Sequence, residues 1–407
     1  MTDLRGKTIL FGVTGSIAAY KAADWVRSLV KEEARVNVVL TKAAERFVSA
    51  LTFTALSGNA THRDMFADGP DEVMAHINLS READALIIAP ATAQTMARLA
   101  TGMADNLLSA VCLAARIPVL ICPAMNTAMF HHLATQENIR RLRQIGYSVL
   151  QPGSGDLACG EHGDGRLPEW DEAREALLSL LTPADLRGVR VLITAGPTRE
   201  ALDPARYLSN RSSGKMGYAL ARTAMRRGAL VTLVSGPVAL VDPPGVEVVR
   251  VNTAQEMTEC VFERARLARV IVKAAAVADF TPAAPSEHKI KKSAETLQLE
   301  CVKTTDILAE LGRRKTERQV LVGFAAESRS HLEEGQRKLL EKNLDMIVVN
   351  DILGKDSGFD VNTNQVTIIE RDQSFGLPVL SKESTADRIW DAVLRLLGSS
   401  EEKGQTV

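Results

Sequence analysis

Short apolar runs recur along this chain. Each closes on a loop of glycine and small polar residues, and a stretch with apolar positions three to four residues apart follows it. Residues 7–13 form such a run, ending at Gly12-Val-Thr-Gly15; residues 16–31 then carry helical periodicity and residues 35–40 are apolar again, which makes one βαβ unit. The same grammar restarts at 190–193, with the turn Thr194-Ala-Gly-Pro-Thr198, a helical 216–227 and a strand at 230–235. Further strands are predicted at 85–89, 118–122, 270–276, 320–325, 346–350 and 366–370. Strands apolar throughout and alternating with helices imply parallel sheets covered on both faces.

The predicted class is therefore α/β, with two domains, each a Rossmann-like, mostly parallel sheet with helices on both faces. A second start also fits the length, since 407 residues exceed what one hydrophobic core usually serves. The boundary falls after the helix at 169–181, in Thr182-Pro-Ala-Asp-Leu-Arg-Gly188, where proline and glycine flank polar residues ahead of a new strand. This places one domain at 1–185, a second at 186–398, and a polar, flexible tail at 399–407.

Charge and composition narrow the class of partner. Lysine and arginine number 49 against 50 acidic residues, a net charge of −1, so the chain lacks the basic footprint of a nucleic-acid binder, and small molecules are the expected partners. The longest apolar stretches, such as 111–123, are broken by Arg116 and Pro118 and fall short of the roughly 20 residues that a membrane span needs. The first residues enter a strand without the apolar core of a signal peptide, and the 5 cysteines stand apart with no CxxC pair, so reduced thiols and a cytoplasmic location are expected.

In open parallel sheets, ligands bind beyond the carboxyl ends of the strands, where loops and helix N-termini present N–H groups to phosphates. Gly12 to Ser16 occupies such a place, as do Ala89-Pro-Ala-Thr92, Gly102-Met-Ala-Asp-Asn106 and Pro123-Ala-Met-Asn126. Together with His76-Ile-Asn-Leu and Ala158-Cys-Gly160, these segments resemble the signature stretches of the flavin-containing cysteine decarboxylases. The resemblance implies FMN held by Gly15 and Ser16, by Pro90, Ala91 and Thr92, and by Ala104, Asp105, Asn106 and Leu107. It implies that Cys159, on the glycine-rich loop Gly153 to Gly165, supplies a proton, that Asn126 binds the substrate carboxylate, and that His76 orients substrate or assists thiol proton transfer. A thiol suits proton donation, because its unperturbed pKa of about 8.5 leaves it mostly protonated at neutral pH. Without that context a histidine is more often a surface residue and a cysteine more often packing; Cys112 and Cys122, inside apolar runs, keep the packing assignment. Gln94 and Phe130 depart from the family pattern.

A second set of segments follows in the other half: Gly196-Pro-Thr-Arg199, Asp203-Pro-Ala-Arg206, Asn210-Arg-Ser-Ser-Gly-Lys-Met-Gly217, Ala274-Ala-Ala-Val-Ala-Asp279, Lys289-Ile-Lys-Lys292 and Gly323-Phe-Ala-Ala-Glu327. With the first set, they resemble the family that joins a phosphopantothenoylcysteine decarboxylase to a phosphopantothenate–cysteine ligase. Joining a carboxylate to an amine needs a better leaving group than hydroxide. The resemblance implies CTP as co-substrate, an acyl-cytidylate, and Mg2+ near the α-phosphate. It implies nucleotide contacts from Ala275, Asp279, Lys289, Thr305, Asp306, Ile307, Leu308, Phe324, Lys338 and Lys342, with Asp279 as metal ligand. It implies substrate contacts from Arg206, Asn210, Ser212, Ser213, Gly214 and Lys215, with Asn210 and Lys289 catalytic. The small molecules it implies are 4′-phosphopantothenate, cysteine and CTP, and the implied assembly is a homo-oligomer, a dodecamer of decarboxylase trimers and ligase dimers. A lysine run such as 289–292 is usually solvated surface, so only its place after Asp279 promotes Lys289. Ser212-Ser-Gly-Lys215 lacks the Walker spacing, and a nicotinamide oxidoreductase is disfavoured because GxGxxG is missing from both turns. A regulatory flavoprotein would need neither Cys159 nor the second half.

Overall fold

The computed structural model describes residues 3–66, 74–291, 297–327, 331–351 and 361–404. The chain divides into two units, 3–183 and 184–407. The first runs β1 (Thr8–Val13), α1 (Ala19–Lys31), β2 (Arg35–Leu40), α2 (Ala50–Ser57), β3 (Thr61–His62), α3 (Ala75–Glu82), β4 (Ala85–Ala91), α4 (Ala93–Thr101) and α5 (Leu107–Ala114). It continues with β5 (Val119–Pro123), α6 (Thr127–His131), α7 (Leu133–Gln144), β6 (Ser148–Val149), β7 (Gly153–Asp156), β8 (His162–Arg166) and α8 (Trp170–Leu181). Six parallel strands lie in the order β3-β2-β1-β4-β5-β6.

Alternation along β1 divides the core. Ile9, Phe11 and Val13 pack with Trp25, Val26 and Leu29 of α1 and Leu177 and Leu178 of α8. Leu10 faces the other way, with Leu86, Ile88, Met96, Leu108 and Val111. Both faces are buried, and each such side chain fully buried is worth roughly 1.5–3 kcal/mol. The strand order reverses between β1 and β4, so the loops after these strands diverge and leave a crevice at the carboxyl edge.

The second unit repeats the plan with additions. Its elements are β9 (Arg190–Ala195), β10 (Arg199–Asp203), β11 (Arg206–Ser209), α9 (Lys215–Arg226), β12 (Leu230–Ser235), β13 (Glu247–Arg250), α10 (Ala254–Ala265), β14 (Val270–Lys273), β15 (Phe280–Pro282) and β16 (Cys301–Lys303). Then come α11 (Ile307–Arg314), β17 (Val320–Glu327), α12 (His331–Glu341), β18 (Met346–Asp351), β19 (Thr363–Asn364), β20 (Val366–Glu370), β21 (Ser374–Gly376), β22 (Leu380–Ser381) and α13 (Lys382–Gly404). The eight-stranded sheet has the order β13-β12-β9-β14-β17-β18-β20-β21. It is parallel up to β18 and antiparallel beyond. Val191, Ile193 and Val272 pack with Tyr218 of α9 and Trp390 of α13, whereas Leu192 and Ile271 pack with Met257 of α10 and Leu308 of α11. The Trp390 indole N–H donates to Leu220 O at 3.1 Å and Thr223 Oγ1 at 3.0 Å, so the largest core side chain is also satisfied.

Three expectations change in detail. The glycine-rich segment 153–165 is the hairpin β7–β8 rather than a loop. The strand expected over 270–276 stops at Lys273, because the Ala275 N–H turns to Thr194 Oγ1 and the Ala276 N–H to Gly196 O. Helix α13 continues through 399–404, within the segment expected as a tail.

Candidate active sites

In the first unit the turn after β1 is bolted to the end of β4. Buried Thr14 donates through Oγ1 to Pro90 O at 2.6 Å and accepts from the Thr92 N–H at 3.1 Å. Gly15 leaves no room for a side chain, since a Cβ there would stand 2.5 Å from Ala43 Cβ. Thr92 caps α4, accepting from the Thr95 N–H, and Asn106 caps α5 in a reciprocal box with Ser109. Asp105 pairs with Arg98 at 3.1 Å. Ser16, Pro90–Thr92 and Ala104–Leu107 thus stand at strand ends, loops and a helix start at one carboxyl edge, with Pro90, Ala91 and Leu107 buried and Ala104 and Asp105 exposed.

Beside this edge the β7–β8 hairpin crosses the loop after β5. Gly165, at φ +144°, lies so close that a Cβ would strike Met125 O, and the Met125 N–H donates to Gly165 O at 2.9 Å. The hairpin tip carries Cys159. Asn126, the N-cap of α6, accepts from the Ala128 N–H through Oδ1 while its Nδ2 donates to Cys159 Sγ at 3.4 Å and Glu161 Oε2 at 2.6 Å. A cleft of about 500 Å³ opens here, lined by Ser16, Lys21, Asn126, Cys159 and Arg166 among others. The structure thus brings together Ser16, Asn126 and Cys159. His76, half-buried on α3, does not line this cleft, and neither do Pro90–Thr92 nor Ala104–Leu107. Cys159 is exposed whereas Cys112 and Cys122 are buried; burial pushes Cys112 up to about 12 and raises Cys122 as well, so neither offers a thiolate. Phe130 is a core residue and Gln94 is exposed, both away from the cleft.

In the second unit Thr194 and Thr198 tie the turn after β9 to the chain beyond β14, accepting from the Ala275 and Ala278 N–H groups, each at 3.1 Å. Asn210 reaches the same stretch, its Nδ2 donating to Val277 O at 2.9 Å. Ser212, Ser213 and Lys215 line a second cleft of about 850 Å³ with Arg199, Gly236 and Arg250. Gly214 backs onto it at φ +75°, where a Cβ would meet Val238 Cγ1 at 2.7 Å. Arg206 points elsewhere: its guanidinium grips Asp203 Oδ2 at 2.6 and 2.9 Å and donates to Ile290 O at 2.9 Å. This hydrogen bonding, chiefly from Arg206, holds the Asp203 carboxyl well below the usual carboxylate range. The strap fixes Ile290 and so the base of Lys289, which is exposed.

The nucleotide residues implied by the resemblance divide further. Asp306 caps α11 through the Ala309 N–H, and Lys342 Nζ pairs with its Oδ2 at 2.7 Å. Ile307 and Leu308 are core residues on the α10–α11 face with Ala275, whereas Phe324 packs on the α9–α13 face. Thr305 and Asp279 are exposed and Lys338 is half-buried. Lys292, and the side chain of Glu327, lie outside the described residues. Among the described residues no group of three or more His, Cys, Asp or Glu side chains could hold a metal ion. Sequence reasoning missed Glu161, Asp203 and Lys273; Asp203 stood in a quoted segment, but nothing in spacing marks a partner of Asn126 across a hairpin.

The Flavoprotein family matches residues 1–182, and the family described as DNA/pantothenate metabolism flavoprotein C-terminal domain matches 186–397. The coenzyme A biosynthesis bifunctional protein CoaBC of Vibrio cholerae is 44% identical over 391 residues, covering 96% of this chain and 98% of its own. The chain belongs to the CoaBC family. The CoaBC of Bacillus subtilis is also 44% identical, over 98% of this chain and 100% of its own. A crystal structure of a CoaBC C-terminal domain is 42% identical, with a TM-score of 0.46, covering 53% of this chain and 100% of that one. As a CoaBC-family member the chain is a bifunctional enzyme of coenzyme A biosynthesis, a decarboxylase in its flavoprotein half and a ligase in its C-terminal half.

Proposed function

We propose that the chain first ligates 4′-phosphopantothenate to cysteine at the expense of CTP, through an acyl-cytidylate in 186–398. It then decarboxylates 4′-phosphopantothenoylcysteine to 4′-phosphopantetheine with FMN in 1–185. The observation that carries the decarboxylase assignment is the 3.4 Å contact of Asn126 Nδ2 with Cys159 Sγ on the wall of one cleft. An amide that donates can bind a carboxylate, and a thiol beside it can hold the proton that the product must receive. Glu161, accepting from the same Nδ2, aims the amide. His76 is proposed to orient substrate or assist proton transfer at the substrate thiol.

The loops fit FMN because Gly15 leaves bare backbone where a Cβ would collide, at the switch point that favours phosphate, beside the caps Thr92 and Asn106. Gly15, Ser16, Pro90–Thr92 and Ala104–Leu107 would hold it. When bound, the flavin supplies the electron sink that a decarboxylating cysteine lacks.

In the ligase half, Lys289 meets the charge that grows on the α-phosphate, and Asn210 holds the acyl intermediate during amine attack. Mg2+ commonly keeps water and phosphate ligands and needs few from protein, which suits Asp279 as an exposed carboxylate. Among the described residues no helix is long and apolar enough to cross a membrane; we place the enzyme in the cytoplasm, as a homo-oligomer of decarboxylase trimers and ligase dimers. The test is mass spectrometry of products from 4′-phosphopantothenate, cysteine, magnesium and each nucleoside triphosphate in turn. 4′-Phosphopantetheine with CTP alone supports the reading; no product with any nucleotide overturns it.

A further inference from the structure

One charged group that no motif marked stands among the proposed nucleotide residues. Lys273 ends β14, beside Thr194 of β9 and Gly323 of β17. Alternation from Ile271 puts its side chain on the α10–α11 face. Gly323 keeps that space narrow, since a Cβ there would stand 2.8 Å from Leu344 and 2.9 Å from Leu308. Lys273 Nζ donates to Ala275 O at 3.3 Å, across the bend where the chain leaves the sheet.

The charges that act on Lys273 are Asp306 at the start of α11, Lys342 just after α12, and Asp279 ahead of β15; its strand neighbours are uncharged. The first two are held rigidly. Gly312 packs directly on the Lys342 carbonyl, leaving no space for a Cβ, and Asn343 Nδ2 donates to Gly312 O at 2.9 Å, which fixes Lys342 against α11 and Asp306. For Asp306, burial alone would raise the carboxyl; the Lys342 and Ala309 hydrogen bonds, with the charges of Lys342 and Lys273, outweigh it and hold the group low. Burial acts on Lys273 in the corresponding sense, bringing its ammonium down to about 8.

We infer that Lys273 is a positioning residue of the ligase, holding the Ala275 carbonyl at the bend while its charge acts, without a direct ion pair, on the Asp306 carboxylate that Lys342 grips, so that the nucleotide pocket is formed before the nucleotide arrives. The inference rests on the ligase reading and adds a residue to it. A polyphosphate entering there meets two ammonium charges already placed, and Lys342 can turn to phosphate while the Lys273 charge still offsets that of Asp306.

The test measures amide formation by the full-length chain with CTP, for wild type, Lys273→Met and Lys273→Gln. Loss of a charge-assisted contact raises the KM for CTP roughly 10-fold in both variants, with kcat within about 2-fold. The wild-type KM rises as pH passes about 8, where the ammonium is lost, and both variants lack that rise. The glutamine variant can still donate to Ala275 O, so agreement between the variants also separates charge from folding damage. Unchanged KM in both variants, or a loss confined to kcat, overturns the inference while leaving the ligase assignment standing. A wild-type chain that forms no amide overturns both.

Discussion

Both units bolt their first turn across the switch point with threonine: Thr14 to Pro90 and Thr92 in one, Thr194 and Thr198 to Ala275 and Ala278 in the other. What stands on the bolt differs. In the decarboxylase half the chemical groups are presented to the cleft on a glycine hairpin, with Cys159 exposed and touched only lightly by Asn126. In the ligase half several charges are already paired: Arg206 with Asp203, Lys342 with Asp306. A neutral thiol can wait in water at little cost, whereas a charged group drawn toward the interior must be partnered or it costs several kcal/mol. The ligase site is therefore prebuilt by electrostatics and the decarboxylase site by backbone shape.

That contrast can be broken or sharpened by measurement. Cys159→Ser should give the largest effect, cutting reduced product by roughly 10²–10⁴-fold, the usual worth of a positioned proton donor, with CTP-dependent amide formation unchanged. Wild-type yields of reduced product would remove the thiol from its role. Next, Lys289→Gln should slow amide formation by about 10²–10³-fold while decarboxylation of supplied 4′-phosphopantothenoylcysteine stays at the wild-type rate. Equal rates in a steady-state assay would return Lys289 to solvated surface.

Gly165→Ala tests shape against charge. A Cβ at φ +144° must strike Met125 O, so the variant should lose roughly 1–3 kcal/mol and unfold several degrees earlier by calorimetry. An unshifted transition would mean the hairpin moves freely. The smallest effect is expected at Asp203. Its folded carboxyl is depressed below the ordinary value of about 3.9, so its stabilisation is complete above that pH and is lost as pH falls further. Asp203→Asn should be less stable than wild type at pH 7, and thermal scans should show the two converging in acid. A gap that stays constant down to acidic pH would show that shape, not charge, holds the Ile290 strap.

The strands were legible because apolar runs and the turns that end them are local signals: 35–40, 230–235 and 366–370 are strands over those same residues. The small hairpins were not, since 153–166 is glycine-rich and polar, and its pairing is stabilised by contact with Met125 and Thr127 rather than by its own pattern. Cys159, Asn126 and Ser16 were named from their segments and meet in one cleft. Glu161, Lys273 and the Asp203–Arg206 strap carry no motif of their own, and Phe324, named as a nucleotide contact, lies on the opposite sheet face from Ala275.

Apolar periodicity and glycine placement, which act within a few residues, were enough by themselves to determine two βα sheets and their order along the chain; the segments proposed to carry chemistry came from the family resemblance. Only the tertiary structure decided which of those segments face one another. Asn126 meets Cys159, Arg206 clasps Ile290, and Lys342 pairs with Asp306 because sheet order and tight glycine contacts set distances between residues far apart in the chain. Such distances depend on how whole faces pack, and no local pattern records them.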